Sequence, residues 1–284
     1  MITAWTRKHR KGITEVWSLL VTLLITAFCL SPLYWVLITS LKPMGTEYLI
    51  PIQLWPNPPT LQAYQAVLGQ LGFLLPIRNS VIVALSTAVL ALVVSSVSAY
   101  AIARMRFRYK VQSLLILQLG AMIPPVVTIA PTFVLLRQLG LLRSLPAMII
   151  PNVFYSVPLA TWLLASYFAE LPYELEDAGK VDGYRPLQIY LRVILPLSAP
   201  GLFAAGVFAF IGTFGEFMLG NVVTMGLPAV QTVPIAIQNF SFQFRQQYTW
   251  VCAGIILALI PVVLLVVLFQ RWVIRGLTAG AVKY

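Results

Sequence analysis

The chain has 284 residues, of which 60% are hydrophobic and 10% are charged, and its mean hydropathy is +0.88. Soluble domains carry about 25% charged residues, so this composition excludes an ordinary soluble domain and indicates a membrane protein. The net charge of +11 does not call for nucleic acid, because positively charged flanks of membrane spans and anionic lipid headgroups account for a basic excess. We therefore expect the lipid bilayer as a partner and no nucleic acid.

Six stretches without Asp, Glu, Lys or Arg are long enough to cross a bilayer, which takes roughly 20 helical residues. Each is predicted to be a helix, because lipid offers backbone amides no other hydrogen-bond partner. The expected fold is all-α: a polytopic membrane protein with six transmembrane helices in one domain, residues 1–284. The first stretch is longer than the apolar core of a cleavable signal peptide, so we expect it to be retained. The predicted spans are 16–41, 79–103, 111–136, 144–169, 193–215 and 246–270.

Two further charge-free stretches, 48–77 and 217–244, are dense in residues that break helices. The first contains five prolines, and the second contains two prolines, two glycines and several side-chain amides. Broken backbone in lipid would leave amides unpaired, so both stretches are predicted to be loops that can pack against the membrane helices.

An even number of spans places both termini on one side, and the basic residues indicate which side. With the termini inside, 14 of the 19 basic residues are cytoplasmic, including those of the tails 1–15 and 271–284. The other five are Lys42, Arg78, Arg137, Arg143 and Arg245. We therefore predict an inner-membrane protein with both termini in the cytoplasm.

The chain lacks the residues that common enzyme sites require. Its one histidine, His9, lies in the basic tail, and Cys29 and Cys252 fall within predicted spans. A histidine metal site and a Ser-His-Asp triad are therefore excluded. We predict no catalytic residue, no metal site and no cofactor site in this chain.

The predicted cytoplasmic loop 170–192 gathers much of the negative charge of the chain. Pro172 and the acids Glu174, Glu176 and Asp177 suit the first turn of a helix, and Gly183 suits the left-handed position that ends one. Pro186 then starts a second short helix. The sequence Ala-Gly-Lys at 178–180 lacks the other residues of a phosphate-binding loop, so any ATP must be hydrolysed by another subunit.

This loop resembles that of the permease subunits of binding-protein-dependent ABC importers, whose pattern is E-A-A, then D-G, then L-P. Asp177 stands where the pattern has its central alanine. The stretches "PNPPTLQAYQAVL", "IRNSVIVAL" and "QRWVIRGLTAGAVK" resemble the carbohydrate branch, on the side of the smaller maltose-type permease. The residues that fit the loop pattern are Glu176, Ala178, Asp182, Gly183, Leu195 and Pro196.

The resemblance implies a type I ABC importer permease fold and a set of partners. These are a second permease subunit in a pseudo-symmetric heterodimer, two ATPase subunits that bind ATP and Mg, and an external substrate-binding protein. The loop is expected to dock into a cleft of the ATPase, where its acids meet basic groups. The alternative is an amphipathic loop on the membrane surface, which its acids disfavour. The coupling residues are expected to be Glu174, Glu176, Asp177, Ala178, Gly179, Asp182, Gly183 and Pro196.

Glu216 is the one ionisable residue near the far end of the fifth predicted span, on the face that carries Gly212. A charge within the bilayer is costly and should face water or a partner. The carboxylate could accept hydroxyl groups of a passing sugar beside Phe214, or the small residues could pack helices while Glu216 reaches the headgroups. Polar residues near prolines in spans three and four have the same two interpretations, solute path or interhelical hydrogen bonding. These are Thr128, Asn152, Tyr155 and Ser156.

The expected function is therefore that of a permease forming half of a translocation path for a sugar or sugar-like solute. Alternatives are a non-sugar solute such as a glycerol phosphate or a polyol compound, a self-sufficient secondary transporter, and a membrane scaffold. Ion coupling normally needs several intramembrane ionisable groups, whereas Glu216 stands alone. A scaffold does not explain the polar faces.

Overall fold

A computed structural model describes residues 2–240 and 247–279, with side chains for 15–240 and 247–272. The regular elements of these residues are all helical, which confirms the all-α prediction. Single 3-10 or π turns occur at Thr46–Tyr48, Ala66–Gln70, Tyr190–Ile194 and Pro228–Val230. The α-helices are α1 Ile2–Ser40, α2 Gln62–Gln65, α3 Leu74–Arg104, α4 Lys110–Met122, α5 Pro125–Gln138, α6 Pro146–Glu170, α7 Glu174–Val181, α8 Pro186–Ile189, α9 Leu195–Leu197, α10 Ala199–Phe214, α11 Met218–Thr224, α12 Val233–Asn239 and α13 Tyr248–Ala279.

Four helices are long and apolar enough to cross a membrane alone: Glu15–Ser40 within α1, α3, α6 and Tyr248–Trp272 within α13. Two further spans exist if a bent pair of helices counts as one. The predicted spans 111–136 and 193–215 are these bent pairs. Prolines were expected to interrupt the helix of the first, whereas the expectation of a continuous helix at the second was wrong.

The third predicted span is broken between α4 and α5, which meet at an angle of 91°. The break lies at Ile123 and Pro124, whose backbones are extended, and Pro125 then begins α5. A residue before proline avoids the helical region, so two consecutive prolines force the chain out of the helix. The prolines thus interrupt this span as the sequence predicted.

The fifth predicted span bends by 77° at Ser198, between the helical stretch Pro186–Leu197 and α10. Pro196 precedes the bend and Pro200 lies in the first turn of α10. Because neither proline carries a backbone N–H, the helical hydrogen-bond ladder is incomplete on both sides of Ser198. The helix that enters this span starts at Pro186, inside the predicted loop 170–192.

Several helices extend beyond the predicted spans, which were ended at charged residues. Helix α1 already begins in the predicted tail 1–15, α13 continues into the tail 271–284, and α3 includes the exposed Arg78 in its second turn. Long charged side chains extend from a helix to the membrane surface without ending it. The predicted loops 48–77 and 217–244 contain short helices, and residues 241–246 lie outside the described residues.

The chain divides into two compact units, 1–71 with 240–257 and 72–239 with 258–284. In the first unit the chain after α1 folds back on it. The Ser40 and Tyr64 hydroxyls are 2.7 Å apart, and the Thr60 N–H donates to the Leu41 carbonyl at 2.8 Å. The rings of Tyr48 and Tyr248 lie 5.7 Å apart.

In the second unit α3, α6 and α10 pack closely, because small residues let their backbones approach. A Cβ at Gly201 would lie 2.8 Å from Cγ of Tyr167, and one at Gly206 would lie 3.0 Å from Leu92. Small residues at helix contacts are the usual basis of packing in membranes. The buried cluster at one end of this packing contains Ala99, Leu164, Phe168, Ile189, Ile194 and Ala205.

The N-terminal end of α3 holds the chain between α11 and α12. The Asn79 side-chain amide donates to the carbonyls of Ala229 and Gln231, both at 3.0 Å, and the Ser80 hydroxyl accepts from the Val233 N–H at 2.8 Å. These buried bonds fasten part of the stretch 217–244 to a membrane helix, as the sequence allowed.

Candidate functional site

Helices α7 and α8 form a folded pair within residues 172–197, which we call the α7–α8 segment. Helix α7 ends in a Schellman motif: the Tyr184 N–H donates to the Gly179 carbonyl at 2.9 Å and the Gly183 N–H to the Lys180 carbonyl at 3.0 Å. Gly183 has a φ of +79°, which confirms the predicted left-handed glycine. Helix α8 then begins at Pro186, and Gln188 accepts the Arg185 N–H at 2.8 Å.

Some of the predicted coupling residues are exposed on the α7–α8 segment. Asp182 and Gly183 at its turn and Pro196 near its end are exposed. Gly179 faces inward, where an added Cβ would lie 3.1 Å from Ile189 of α8, so a glycine permits the close approach of the two helices. The exposed residues of α7 are Glu174, Asp177, Ala178, Lys180 and Val181. We call the stripe of Glu174, Asp177, Ala178 and Val181, which lies beside Lys180, the outer face of α7.

Two of the predicted acids differ in their surroundings. Glu176 is buried, and its Oε1 lies 3.4 Å from Nε of Arg104. Asp177 is exposed and accepts a 2.8 Å hydrogen bond from Lys180, which raises the pKa of that lysine. A helix turns by about 100° per residue, so Glu174 and Glu176 point to opposite sides of α7. Glu176 was expected to contact a basic group of a partner, but in this structure it lies against Arg104 of the same chain.

A cavity of about 270 Å³ with a mostly apolar wall lies among α5, α6, α10 and α11, and we call it the polar cavity for the carboxylate, amide and hydroxyl groups that also line it. It brings together five of the seven candidate solute-path residues, which the sequence placed on separate spans. These are Asn152, Tyr155, Ser156, Gly212 and Glu216. The hydroxyl of Thr213 also lines the cavity, although it was not among the residues predicted from the sequence. The rest of the wall is apolar or small: Pro125, Ile129, Leu159, Ala160, Ala205, Phe208, Ala209, Met218 and Leu219.

The other two candidates do not line the cavity. Phe214 is buried and its ring stacks on Phe210 with centroids 5.6 Å apart. Thr128 shares a hydrogen bond with the Tyr155 hydroxyl and thus contacts a residue that lines the cavity. Thr213 lies three residues before Glu216, and this helical spacing is the sequence signal that could have identified it.

Glu216 bridges the cavity and the start of α11. Its Oε1 accepts the Leu219 N–H at 2.7 Å and its Oε2 accepts the Gly220 N–H at 3.0 Å. The carboxylate thus satisfies two of the free N–H groups at a helix start. Each carboxylate oxygen has a second lone pair, so Glu216 can cap α11 and still accept a hydroxyl group from a solute.

The cavity combines one carboxylate, one side-chain amide and several hydroxyls with apolar walls. Asn152 already donates to the Met148 carbonyl at 2.8 Å, which orients its side chain. Among the described residues that line the cavity, none is Lys or Arg. This arrangement can exchange hydrogen bonds with a polyhydroxylated solute and cover its C–H faces with Phe208 and Leu159.

The family of binding-protein-dependent transport system inner membrane components matches residues 91–279, more than half of the chain. The chain belongs to this family. The permease is 36% identical over 269 residues to the trehalose transport system permease protein of Mycobacterium tuberculosis, covering 94% of this chain and 97% of the relative. It is 35% identical over 254 residues to the sulfoquinovosyl glycerol transport system permease protein of Agrobacterium fabrum, covering 89% of both.

Solved structures agree with the fold. The permease matches a chain of a bacterial ABC transporter that imports the acidic polysaccharide alginate, with a TM-score of 0.74, 21% identity and coverage of 90% of this chain and 96% of that one. A chain of the MetNI methionine ABC transporter matches with a TM-score of 0.56, 18% identity and coverage of 71% and 94%. The predicted ABC importer permease fold is thus confirmed, and the permease is a multi-pass inner-membrane protein.

Proposed function

We propose that this permease forms half of the translocation path for a sugar or sugar-like solute in an ATP-driven importer. The polar cavity carries the proposal, because it gathers Asn152, Tyr155, Ser156 and Glu216 from different helices beside an apolar wall. The solutes named for related permeases support a sugar or glycoside: sulfoquinovosyl glycerol, trehalose, trehalose and maltose, and diacetylchitobiose.

The charge of the cavity favours an uncharged solute over a glycerol phosphate. Glu216 is the one carboxylate among the described lining residues, which include no Lys or Arg, and a carboxylate repels an anion. A phosphate site would be expected to contain Arg, Lys or a set of free backbone N–H groups. In this cavity the N–H groups of Leu219 and Gly220 already donate to Glu216.

The outer face of α7 supports an ATPase subunit as a partner. Ala178 and Val181 offer a small apolar surface between the carboxylates of Glu174 and Asp177, and Val181 is 88% exposed. Such a surface fits a cleft with an apolar floor and basic rims. We assign the cleft to an ATPase subunit that binds ATP and Mg, in a complex with a second permease subunit and an external binding protein.

The solute class is tested by purifying the permease with its associated subunits and reconstituting the complex in vesicles. Uptake of labelled trehalose, maltose and glycerol 3-phosphate is then measured with the binding protein present. We expect uptake of an uncharged glycoside and no competition from glycerol 3-phosphate. Uptake of glycerol 3-phosphate that excess sugar leaves unchanged would contradict the proposal.

The orientation is tested by cysteine labelling in intact cells, after Cys29 and Cys252 are replaced by alanine. We expect a cysteine at the exposed Asn57 to react with an impermeant thiol reagent, and cysteines at the exposed Arg108 and Asp182 to be protected. All three should react after the membrane is permeabilised. Reaction at Asp182 in intact cells would reverse the proposed orientation and remove the α7–α8 segment from the ATPase side.

A further inference from the structure

The C-terminal end of α3 is fastened to the α7–α8 segment by one side chain. Arg104 lies in the last turn of α3, and its side chain is 1% exposed. Its Nε lies 3.4 Å from the Glu176 carboxylate, and its Nη2 donates to the Leu171 carbonyl. Its guanidinium also lies 4.5 Å from the centre of the Tyr173 ring. One arginine therefore holds α7 and the chain that enters it.

A second contact joins α3 to the other half of the segment. The Tyr190 hydroxyl, just after α8, donates to the buried Ser96 hydroxyl at 2.7 Å. The rings of Tyr190 and Tyr100 are 5.1 Å apart. The chain connects the segment directly to α6 and α10, whereas α3 is joined to it through these side chains and through a buried apolar cluster that includes Ala103 and Ile189.

Helix α3 also reaches the region next to the polar cavity. At its other end Asn79 and Ser80 bind the backbone of the chain between α11 and α12, and α11 is the helix that Glu216 caps. The distance along α3 from Ser80 to Arg104 is about 36 Å at 1.5 Å per residue. A regular helix of this length transmits an axial displacement with little change in its own length.

We propose that Arg104 is a positioning residue that makes α3 move with the α7–α8 segment, and that α3 carries this movement to the α11–α12 chain beside the cavity. The proposal rests on the proposed function, because it requires an ATPase to displace the segment. Without the buried polar contacts, only apolar packing would join α3 to the segment, and the segment could shift relative to the end of α3. Hydrolysis of ATP would then continue without productive transport.

The decisive measurement is the distance between spin labels on α3 and on α8 of the α7–α8 segment in the reconstituted complex. Labels at the exposed Val97 and Leu187, in a chain whose native cysteines are alanine, report whether α3 and the segment move together. We expect the same distance with and without ATP. A change of this distance in the otherwise unmodified permease would overturn the proposal.

The matching variant is Arg104→Met combined with Glu176→Met, which removes both charges and leaves no buried charge unpaired. We expect its label distance to change with ATP, and its uptake per ATP hydrolysed to fall about fivefold or more, the lower end of couplings between distant sites. The control is Arg106→Met, at an exposed arginine two residues further along the chain. It should retain the uptake per ATP hydrolysed of the unmodified permease.

The outcomes separate this inference from the proposed function. If the unmodified complex shows neither uptake nor ATP hydrolysis stimulated by the binding protein, the proposed function fails. If that complex works and the double variant keeps the parent ratio and distance, the proposed function stands and the role of Arg104 is refuted. If the double variant does not assemble, the label distance of the unmodified permease with and without ATP still tests whether α3 moves with the segment.

Discussion

Replacing Ala178 with tryptophan should abolish uptake and binding-protein-stimulated ATP hydrolysis together. Ala178 is exposed on the outer face of α7. A partner surface that fits alanine closely has no room for an indole, and overpacking a contact costs about 1–3 kcal/mol or more. The helices of the permease itself should remain folded, because the new side chain points away from them.

The control for this variant is Ala169→Trp, the same change at an exposed alanine in the last turn of α6. It should retain both activities, since tryptophan is well tolerated at a membrane interface. A companion variant, Gly183→Val, strains a backbone with a φ of +79° by about 1–3 kcal/mol and should also reduce stimulation. If Ala178→Trp retains full stimulation and uptake, the outer face of α7 does not contact the ATPase.

Replacing Glu216 with glutamine should reduce uptake about tenfold or more while ATP hydrolysis continues to respond to the binding protein. The amide keeps the shape of the side chain but loses the charge and one acceptor oxygen. A hydrogen bond to a charged group contributes about 1.5–3 kcal/mol, and each 1.4 kcal/mol changes an equilibrium tenfold. The expected pattern differs from that of Ala178→Trp, because the defect lies in the solute path and not in the contact with the ATPase.

The capping role of Glu216 predicts a different result for the same variant. Glutamine leaves either the Leu219 or the Gly220 N–H without its acceptor, and loss of a helix cap costs about 0.5–2 kcal/mol. A purely structural residue would therefore lower the Tm of the purified complex and leave uptake per folded complex unchanged. Glu15→Gln, at an exposed glutamate that does not line the cavity, is the matched control for loss of one charge.

The helical class, the loop helices and the glycine turn at Gly183 could be predicted from sequence because each depends on neighbouring residues. The ends of the spans were less predictable, since Arg78 lies within α3 although charge-free length placed it outside. The bend at Ser198 also depends on local chemistry, namely Pro196 and Pro200, and was missed because the span was judged by its hydropathy alone.

The surroundings of the acids in α7 illustrate what local patterns leave out. Helical periodicity alone places Glu174 and Glu176 on opposite sides of the helix. It does not reveal that Arg104, at the end of a different span, occupies the inner side. In the same way the polar cavity could be anticipated as separate polar faces on α6 and α10, but their convergence on one cavity depends on how those helices meet.

Helix α1 contributes little to the packing of the chain: of its most apolar stretch within Glu15–Ser40, 6% is buried. Neighbouring side chains of this polypeptide therefore place few demands on the shape of any one residue there. Over evolutionary time such a helix can exchange one apolar residue for another as long as it remains hydrophobic enough to stay in the membrane. Sequence drift should thus run faster along α1 than along α3, whose alanines, serines and asparagine each have a fixed neighbour.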